Sequence, residues 1–545
     1  MNHMKITLKI LFISIVTLLI GCFVMTMFWG YEKTMLLLLG DSPNVEKILN
    51  MVSPKKFLIL QLMCVAVAAG FTFLLFILDR IILFFKSVYT FIKRNVYILL
   101  NELRYTEIKW LLIFPLGSSV FFAIVMPVSY DEAYTYLQFT SKSIFVSLSF
   151  YPLPNNHVLH SIITNITRYI PFLPILFCLR VSSIVVSFFT WLLCFSFLKK
   201  YYSKHISLLI TGISSMLFMS MYYSYMSRGY GLVMLFFVLS FYTSYKIIFE
   251  NDSRKNWLLF SVSNILGFFT MPSYLYVFII LNVFILWNNR LQLKKQFLYN
   301  VFTVFVVVIL YMPIIIVNGA GALISNRFVA PISRTELMNQ LVDFFRNAVV
   351  EITGVNYIFI CFLLLISLAL LIKFKMKFEL KTFVVFIVSP FLLLIGHSVI
   401  PFPRTFNYYA VVLIFLVCIP YWKLIQEISV KYVIAVVLLI QLSLFLNFYF
   451  NIKKYETFNI PYHTINTKIV GNGSYFFSSD FFEINFLFEN KIRGYMSSQS
   501  YNFPGGKVDT DTLRGFDYYV IDKKFDLTKN RKPVYNTEEI NVYSK

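Results

Sequence analysis

The fold of this chain is decided by the pattern of residues 109–134, KWLLIFPLGSSVFFAIVMPVSYDEAY. An apolar run at 109–128 is long enough to cross a membrane and ends just before two adjacent carboxylates, Asp131 and Glu132. Carboxylates directly outside a span meet water and lipid headgroups without the free-energy cost of a charge at mid-bilayer, so they are able to take part in chemistry. The alternative is that both only cap the next helix, as acidic residues often do in a first turn.

The composition is that of a membrane protein. Of 545 residues, 58% are hydrophobic and 14% are charged, and the mean hydropathy is +0.72. Soluble globular domains are only about 45–50% apolar. The net charge of +22 comes mainly from short Lys and Arg clusters between apolar runs, which is typical of membrane topology signals, so we expect no nucleic acid as a partner. The six cysteines lie in or beside apolar runs without the spacing of a zinc site or a disulfide framework.

Apolar segments of spanning length recur along the chain. A spanning helix takes about 20 apolar residues, and by that measure the sequence predicts about 13 transmembrane helices. The segments 257–270 and 272–288 are short and separated at Pro272, so half-spans or a helical hairpin are the alternative there. The predicted segments are 8–29, 57–78, 109–128, 181–198, 206–224, 229–249, 257–270, 272–288, 298–317, 354–373, 382–400, 406–422 and 432–450.

The basic residues predict which side each loop faces, because Lys and Arg are enriched in cytoplasmic loops. Beginning with Lys5 and Lys9, every loop that alternation assigns to the cytoplasm carries a basic cluster. The opposite loops carry the distinctive polar residues, which we therefore expect on one extracytoplasmic face together with the C-terminal tail. These residues are Asp131, Glu132, Asn155, Asn156, His157, Arg228 and Arg404.

Three parts of the chain differ in composition. Residues 1–108 are predicted to form a two-helix membrane extension with a cytoplasmic amphipathic linker at 79–108. Residues 109–451 form the expected transmembrane core, with an outer loop at 129–180. Residues 452–545 are more polar, and their short β-patterned segments predict a small extracytoplasmic α/β domain. Its strands are expected near 475–479, 516–522 and 540–543, and a helix is expected from Ser479 to Phe488.

Two loops of the core have the features of ordered structure. The apolar stretch 156–179 contains Pro171 and Pro174, which predicts helices along the outer surface rather than a straight span. The loop at 318–353 is long for a membrane protein. Because long ordered loops are usually functional, we expect it to act as a lid over a substrate cleft.

Four motifs, taken in order, resemble the GT-C superfamily of polytopic glycosyltransferases. The resemblance is to the protein O-mannosyltransferase and aminoarabinose-transferase-like group and covers about 109–450. The motifs are the acidic pair, Asn155-Asn156-His157, Leu179-Arg180-Val181-Ser182-Ser183 and Ser227-Arg228-Gly229-Tyr230. The motif at Arg180 lacks the proline often found in that group, and the two leading spans lie outside the common core, which leaves the sugar open.

The resemblance implies an activity and a location. Members of this group transfer a sugar from a polyprenyl-phosphate-linked donor on the outer side of the membrane, and their essential Asp corresponds to Asp131. A GT-C-like fold and mannosyltransferase-like transfer to an acceptor hydroxyl are therefore expected, with a protein, a lipid or a polysaccharide as acceptor. The expected location is the inner membrane of a bacterial cell envelope, with the site facing the periplasm.

The chemistry of such a transfer assigns roles to the polar residues. A carboxylate takes the proton of the acceptor hydroxyl and stabilises a transition state with oxocarbenium character, and Asp131 is favoured for this over Glu132. The departing phosphate needs guanidinium donors. The candidates are Arg404, Arg228 and Arg180, for which anchoring to lipid headgroups is the alternative.

Further side chains are candidates for substrate binding, namely Tyr130, Tyr134, Asn155, Asn156 and His157. Interface tyrosines often form a belt at the membrane surface, and asparagines often cap helices, so each has a structural alternative. His157 and His160 are spaced as on one helix face, but without a nearby acidic ligand they are weak evidence for a metal. No cofactor is assigned, and a divalent cation stays open.

Two other classes of function are alternatives to catalysis. A transporter or flippase of a lipid-linked saccharide typically carries ionisable residues or broken helices at mid-membrane. Here the interiors of most predicted spans are free of charge. A structural or sensor protein that binds a partner through the C-terminal domain leaves the acidic loop and the outer arginines without a role.

The predicted topology is testable with thiol-reactive probes on single introduced cysteines. Probes near Gly40, Asp131, Asn326 and the C-terminus are expected to react from the outer compartment, and probes near Arg94, Lys200 and Lys294 only from the cytoplasm, because Lys and Arg are retained inside. A C-terminus that reacts only from the cytoplasm contradicts the orientation and, with it, the expected site.

Overall fold

The computed structural model describes most of the chain, including all of the segments around the candidate site. The described residues are 2–39, 54–76, 89–90, 93–250, 254–324, 331–455, 473–494, 499–502, 516–523, 526, 532–536 and 540–544. Much of the predicted amphipathic linker at 79–108 lies outside them, although 93–101 is helical.

The architecture is that of a helical integral membrane protein. The first three helices are α1 (Asn2–Leu39), α2 (Pro54–Phe76) and α3 (Thr106–Val125). Three short helices follow, which are α4 (Tyr130–Thr135), α5 (Ile144–Ser149) and α6 (Val158–Thr167). The next helices are α7 (Ile175–Tyr201), α8 (Lys204–Met216), α9 (Phe218–Tyr225), α10 (Tyr230–Phe249), α11 (Arg254–Thr270), α12 (Leu275–Asn288) and α13 (Leu293–Asn318). The remaining helices of this part are α14 (Gly321–Ile324), α15 (Arg334–Thr353), α16 (Tyr357–Lys373), α17 (Lys377–His397), α18 (Tyr409–Cys418), α19 (Trp422–Ile425) and α20 (Val430–Tyr455).

Fewer spanning helices are found in the described part of the chain than the sequence predicts. Among the described residues, seven helices are long and apolar enough to cross a membrane, or up to nine if each of two bent pairs is one span. Each predicted segment does contain a helix, but the apolar helical stretches at 57–73, 272–288 and 409–425 are shorter than 18 residues, and α11 has 17 residues. The pair α8 and α9 bends by 68°, and the pair α15 and α16 by 93°. A count of 13 is therefore not confirmed, because apolar length in the sequence does not show where a helix breaks.

The break predicted at Pro272 is confirmed. α11 and α12 are joined by a 3₁₀ turn at Pro272–Tyr274, whose first residue has the fixed φ that such a turn needs. The stretch 156–179 is not one straight helix, as predicted: α6 ends before Pro171 and Pro174, and α7 begins after them, while its position along the outer surface stays a prediction. The helix predicted in the long loop is α15, and its apolar face is buried through Leu337, Leu341 and Phe344.

α7 connects two chemically different ends of the bundle. Arg180 lies near its start, and Lys199 and Lys200 lie in its last turn, about 28 Å away at 1.5 Å per residue. At the lysine end, Lys199 pairs with Glu102, and the Lys204 Nζ lies 2.6 Å from a Glu107 oxygen. The candidate site residues therefore lie at the opposite end of this helix from the basic cluster.

The C-terminal region forms a small mixed sheet covered by one helix. Its strands are β1 (Ser474–Phe477), β2 (Gln499–Asn502), β3 (Tyr518–Asp522), β4 (Tyr535–Asn536) and β5 (Ile540–Ser544), and its helix is α21 (Asp480–Arg493). The strand order is β2-β1-β3-β5-β4, with β1 parallel to β2 and β3, and β5 antiparallel to β3 and β4. Phe482 and Phe486 of α21 pack on the sheet residues Tyr475, Val520 and Val542. The three predicted strands, which are β1, β3 and β5, and the predicted helix lie where the sequence places them, whereas β2 and β4 were not predicted.

Candidate functional site

A buried ion pair holds the acidic loop to the bundle. The Arg180 Nη2 lies 2.6 Å from Glu132 Oε2, Arg180 Nε lies 2.9 Å from Glu132 Oε1, and neither side chain is exposed. The remaining guanidinium hydrogens are donated to the carbonyl oxygens of Ala123, Met126 and Pro127, at 2.7 to 3.1 Å. A bidentate pair with every polar atom engaged is the arrangement in which burial of two charges is tolerated.

Glu132 also caps its own helix. Its Oε2 accepts the Ser129 backbone N–H at 3.1 Å, and the Ser129 hydroxyl accepts the Glu132 N–H at 3.3 Å, which is a capping box. Its Oε1 further accepts the Ser227 N–H at 2.7 Å. Both carboxylate oxygens are therefore occupied by neighbours that fix α4 between α7 and the loop before α10.

Asp131 has a different environment, although it is the adjacent residue. Its Oδ2 lies 3.2 Å from Arg404 Nη1 and 3.9 Å from Arg228 Nη2, and its side chain is 24% exposed. Arg404 is 28% exposed and Arg228 only 3%. The structure thus brings together one partly open carboxylate and two of the three predicted arginines, whereas Arg180 lies with Glu132 in the interior.

The two arginines determine the ionisation of Asp131. Burial raises the pKa of its carboxyl, but Arg228 and then Arg404 outweigh this effect and hold the pKa below the usual value for Asp. Asp131 is therefore ionised at neutral pH. Two guanidinium groups face the Asp131 carboxylate, and Glu351 is close enough to Arg404 to interact with its charge.

Arg228 is oriented by contacts on several sides. Its Nη1 donates to Thr135 Oγ1 at 2.7 Å and to the Asn155 carbonyl oxygen at 3.0 Å. Its Nη2 lies 3.3 Å from His157 Nε2. Its Nε is buried and has no hydrogen-bond partner in the described part of the chain. A guanidinium held at this many points loses little freedom when it binds an anion.

His157 is a neutral, fixed imidazole. Burial first, and then Arg228, lower its pKa well below the ordinary value, so the ring carries one proton at neutral pH. The Gly229 N–H donates to Nδ1 at 2.8 Å, which makes Nδ1 the acceptor and assigns the proton to Nε2. Nε2 is then a donor, as Arg228 Nη2 is, so these two nitrogens, 3.3 Å apart, are not hydrogen-bonded to each other. A Cβ at Gly229 would lie 2.8 Å from the His157 Cβ, so this contact requires glycine.

His160 lies in the first turn of α6, three residues after His157, and is also neutral. Burial and Arg228 lower its pKa to about 3, and the side chain is 2% exposed. Neither ring nitrogen has a hydrogen-bond partner among the residues that the structure describes. In the same residues, no group of three or more His, Cys, Asp or Glu side chains is arranged to hold a metal ion.

The other predicted binding residues have structural contacts. The Asn156 amide is buried and donates to the Ser147 and Phe150 carbonyls at 2.9 Å, which shapes the loop before α6. The ring of Tyr130 lies 4.4 Å from that of Phe481, and the rings of Tyr130 and Tyr134 are 6.1 Å apart. Asn155 meets Arg228 through its carbonyl oxygen. Their roles in binding a substrate stay predictions.

A shallow cleft leads to the Arg404 turn. It has a volume of about 450 Å³ and lies between a polar stripe of α15 and the segment before Arg404. The 3₁₀ turn Pro403–Phe406 is held by the amide of the following Asn407, which donates to the Tyr230 carbonyl at 2.8 Å. The cleft is lined by Gln340, Asp343, Phe344, Asn347, Glu351, Ile400, Pro401, Phe402 and Pro403.

Sequence reasoning missed several members of this arrangement. Thr135 lies in no motif, and the motif that begins at Ser227 did not indicate that the Ser227 N–H donates to Glu132. The Phe481 contact joins segments about 350 residues apart, for which no local pattern exists. The role of Glu132 had a usable signal, because Ser129-Tyr130-Asp131-Glu132 has the S-x-x-E spacing of a capping box. The polar stripe of α15 was visible as a helix pattern but not as the wall of a cleft.

Comparison with known proteins does not assign a family. No protein-family model and no curated protein matches this chain. The expected resemblance to GT-C glycosyltransferases is therefore not tested by these comparisons, and function has to be inferred from the chain's own residues.

The buried pair makes a testable prediction about stability. Glu132→Gln keeps the shape of the cap but leaves the Arg180 charge buried without a counter-charge, which typically costs about 3–5 kcal/mol. We expect a clear loss of thermal stability of the detergent-purified protein. The double variant Glu132→Gln/Arg180→Met, which removes both charges, is expected to recover part of it. Unchanged melting of the single variant contradicts a structural role for this pair.

Proposed function

We propose that this chain is a membrane glycosyltransferase that moves a sugar from a polyprenyl-phosphate-linked donor to an acceptor hydroxyl. The observation that supports this best is the partly exposed Asp131 carboxylate, 3.2 Å from Arg404 and 3.9 Å from Arg228. A base and a paired anion site lie side by side, which is what transfer away from a phosphate requires. The orientation of this site toward the extracytoplasmic side is part of the proposal.

The arginines are assigned to the donor phosphate. Their two positive charges exceed the one negative charge of Asp131, and guanidinium groups bind phosphate oxygens in a fixed fork geometry. Arg228 is pre-oriented by Thr135 and the Asn155 carbonyl. The Nε2–H of His157 adds a neutral donor at the same place. Arg404 is more exposed than Arg228, so it is the first of the two that a donor meets.

Asp131 is assigned to the acceptor. As the acceptor oxygen forms its bond to the anomeric carbon, the bond from that carbon to the phosphate oxygen breaks and the polyprenyl phosphate leaves with the bonding electrons. The hydroxyl proton passes to Asp131. The negative charge of the carboxylate also stabilises the positive charge that develops on the sugar. Because Asp131 is ionised at neutral pH, it needs no prior deprotonation to act as this base.

Donor binding improves the base. In the free protein the two arginines hold the pKa of Asp131 low, which keeps it ionised but makes it a weak proton acceptor. A bound phosphate takes over guanidinium hydrogen bonds and adds negative charge nearby. Both effects raise the pKa of Asp131 in the complex. The carboxylate therefore becomes a better base only when a donor is in place.

The remaining predicted residues are assigned by their contacts. Glu132 and Arg180 hold the loop and take no part in the transfer step, since their polar atoms are already engaged with each other and with the backbone. The cleft along α15 is assigned to the acceptor, because its amides, carboxylates and the exposed ring of Phe402 suit a ligand rich in hydroxyl groups. Whether that ligand is free, lipid-bound or protein-bound is not distinguished by these side chains.

The proposal is tested by Asp131→Asn, which keeps the shape of the side chain but removes its charge and its ability to take a proton. Loss of one general base commonly lowers a rate by about 10²–10⁴-fold. We expect a loss of that size in transfer from synthetic polyprenyl-phosphate hexoses or pentoses to acceptors in membranes that contain the full chain. Transfer is measured as labelled sugar in glycan or glycolipid products.

The matched control is Glu336→Gln, an exposed carboxylate in the first turn of α15 that is not among the residues lining the cleft. It is expected to keep at least half of the transfer rate, since it belongs neither to the anion site nor to the proposed acceptor cleft. If the Asp131 variant is folded and transfers sugar at a near-normal rate, Asp131 is not the base. If the unaltered protein moves the donor across vesicles without any product, the chain is a transporter rather than an enzyme.

A further inference from the structure

The C-terminal domain rests on the helix that carries Asp131. Within the described residues, its main contacts with the membrane part are those of α21 with α4 and with the π turn at Tyr136–Thr140. Ile484 and Phe488 of α21 form one apolar cluster with Val128 and Ala133. No sequence motif indicated this contact.

Aromatic and polar contacts extend the interface on both sides of that cluster. The rings of Tyr136 and Phe488 are 5.2 Å apart at 75°, and those of Tyr130 and Phe481 are 4.4 Å apart. At the far end, the Lys491 Nζ donates to the Ser141 hydroxyl at 2.9 Å. The docked length of α21 thus follows the acidic loop from Tyr130 to Ser141.

α4 is too short to be ordered by itself. It has six residues, whereas isolated helices shorter than about 12–15 residues are marginal even for favourable sequences. Its inner face is fixed by Glu132 and Arg180. Its outer face is covered by α21 and the π turn, and Asp131 lies between these two supports. The direction of the Asp131 carboxylate toward Arg404 therefore depends on both.

We propose that α21 is a positioning element for the active site. Docking of the C-terminal domain holds the Asp131 carboxylate within contact distance of Arg404 and Arg228. Phe488 is the main positioning residue, because it is fully buried at the centre of the contact. This inference rests on the proposed function for its kinetic consequence, but the mechanical part is independent of any activity.

α21 offers a matched pair of variants. Phe486 and Phe488 are both at most 2% exposed and lie two residues apart, but Phe486 packs on the sheet and Phe488 on α4. Phe488→Ala removes the contact with the loop, and Phe486→Ala removes the same side chain from the interior of the domain. Phe488→Leu restores most of the apolar volume and serves as the rescue.

The test is hydrogen exchange of the full-length protein in lipid nanodiscs, followed by mass spectrometry. For peptides covering 129–141, we expect exchange about tenfold faster or more in Phe488→Ala, a partial return in Phe488→Leu and little change in Phe486→Ala. For peptides from β1 and β3, we expect the larger increase in exchange rate in Phe486→Ala and the smaller one in Phe488→Ala. Equal effects of the two alanine variants on 129–141, or no effect of either, overturn the proposal.

A kinetic readout separates this inference from the proposed function. The two arginines hold the pKa of Asp131 low, so a carboxylate that has moved away from them should titrate at higher pH. We expect the acid limb of kcat/KM to move to higher pH in Phe488→Ala and to stay in place in Phe486→Ala. Exchange in 129–141 could change as expected while neither the unaltered protein nor any variant transfers sugar. In that case, α21 does position the loop, but the proposed glycosyltransferase function is wrong. If transfer occurs with an unshifted acid limb in Phe488→Ala, α21 does not position Asp131.

Discussion

The pairing of Glu132 with Arg180 is the contact on which the rest of the site depends. It joins the loop after α3 to the start of α7, and through Ser227 it also joins the loop before α10. A buried charge that loses its partner is costly, so the three segments are held together strongly. Because desolvation offsets much of the attraction between the two charges, we expect the pair to favour one arrangement of these segments rather than to add much net stability. Asp131 takes its direction from this fixed neighbour.

Two adjacent carboxylates have different environments because successive residues on a helix point about 100° apart. When Glu132 points into the bundle, Asp131 has to point along the surface, where Arg404 and Arg228 meet it. Burial and charge then separate their behaviour. The Glu132 carboxylate is fully engaged in structural contacts, whereas the Asp131 carboxylate stays ionised and partly exposed. The proposed division between a supporting and a reacting acid follows from this geometry.

Much of this was predictable from the sequence, and the rest fails for identifiable reasons. The basic loops and apolar segments predicted that Asp131, Arg228 and Arg404 share one side, and the structure brings them together. The same reasoning grouped Arg180 with them, because a position in the sequence does not show which way a side chain points. Apolar length in the sequence does not show where a helix bends or ends, so the predicted count of 13 spans is not confirmed in the described residues. The contact of Phe488 with the loop is long-range, and only folding reveals it.

The most direct test of the central claim is the affinity of the protein in nanodiscs for polyprenyl phosphate, the leaving group without its sugar. In the free site the Asp131 carboxylate competes with a phosphate for Arg404 and Arg228. Asp131→Asn removes that competitor, so the account predicts tighter binding of polyprenyl phosphate than in the unaltered protein, whereas Arg404→Gln should bind it more weakly. A folded Asp131→Asn protein that binds polyprenyl phosphate with unchanged or lower affinity contradicts the claim that these arginines form the anion site.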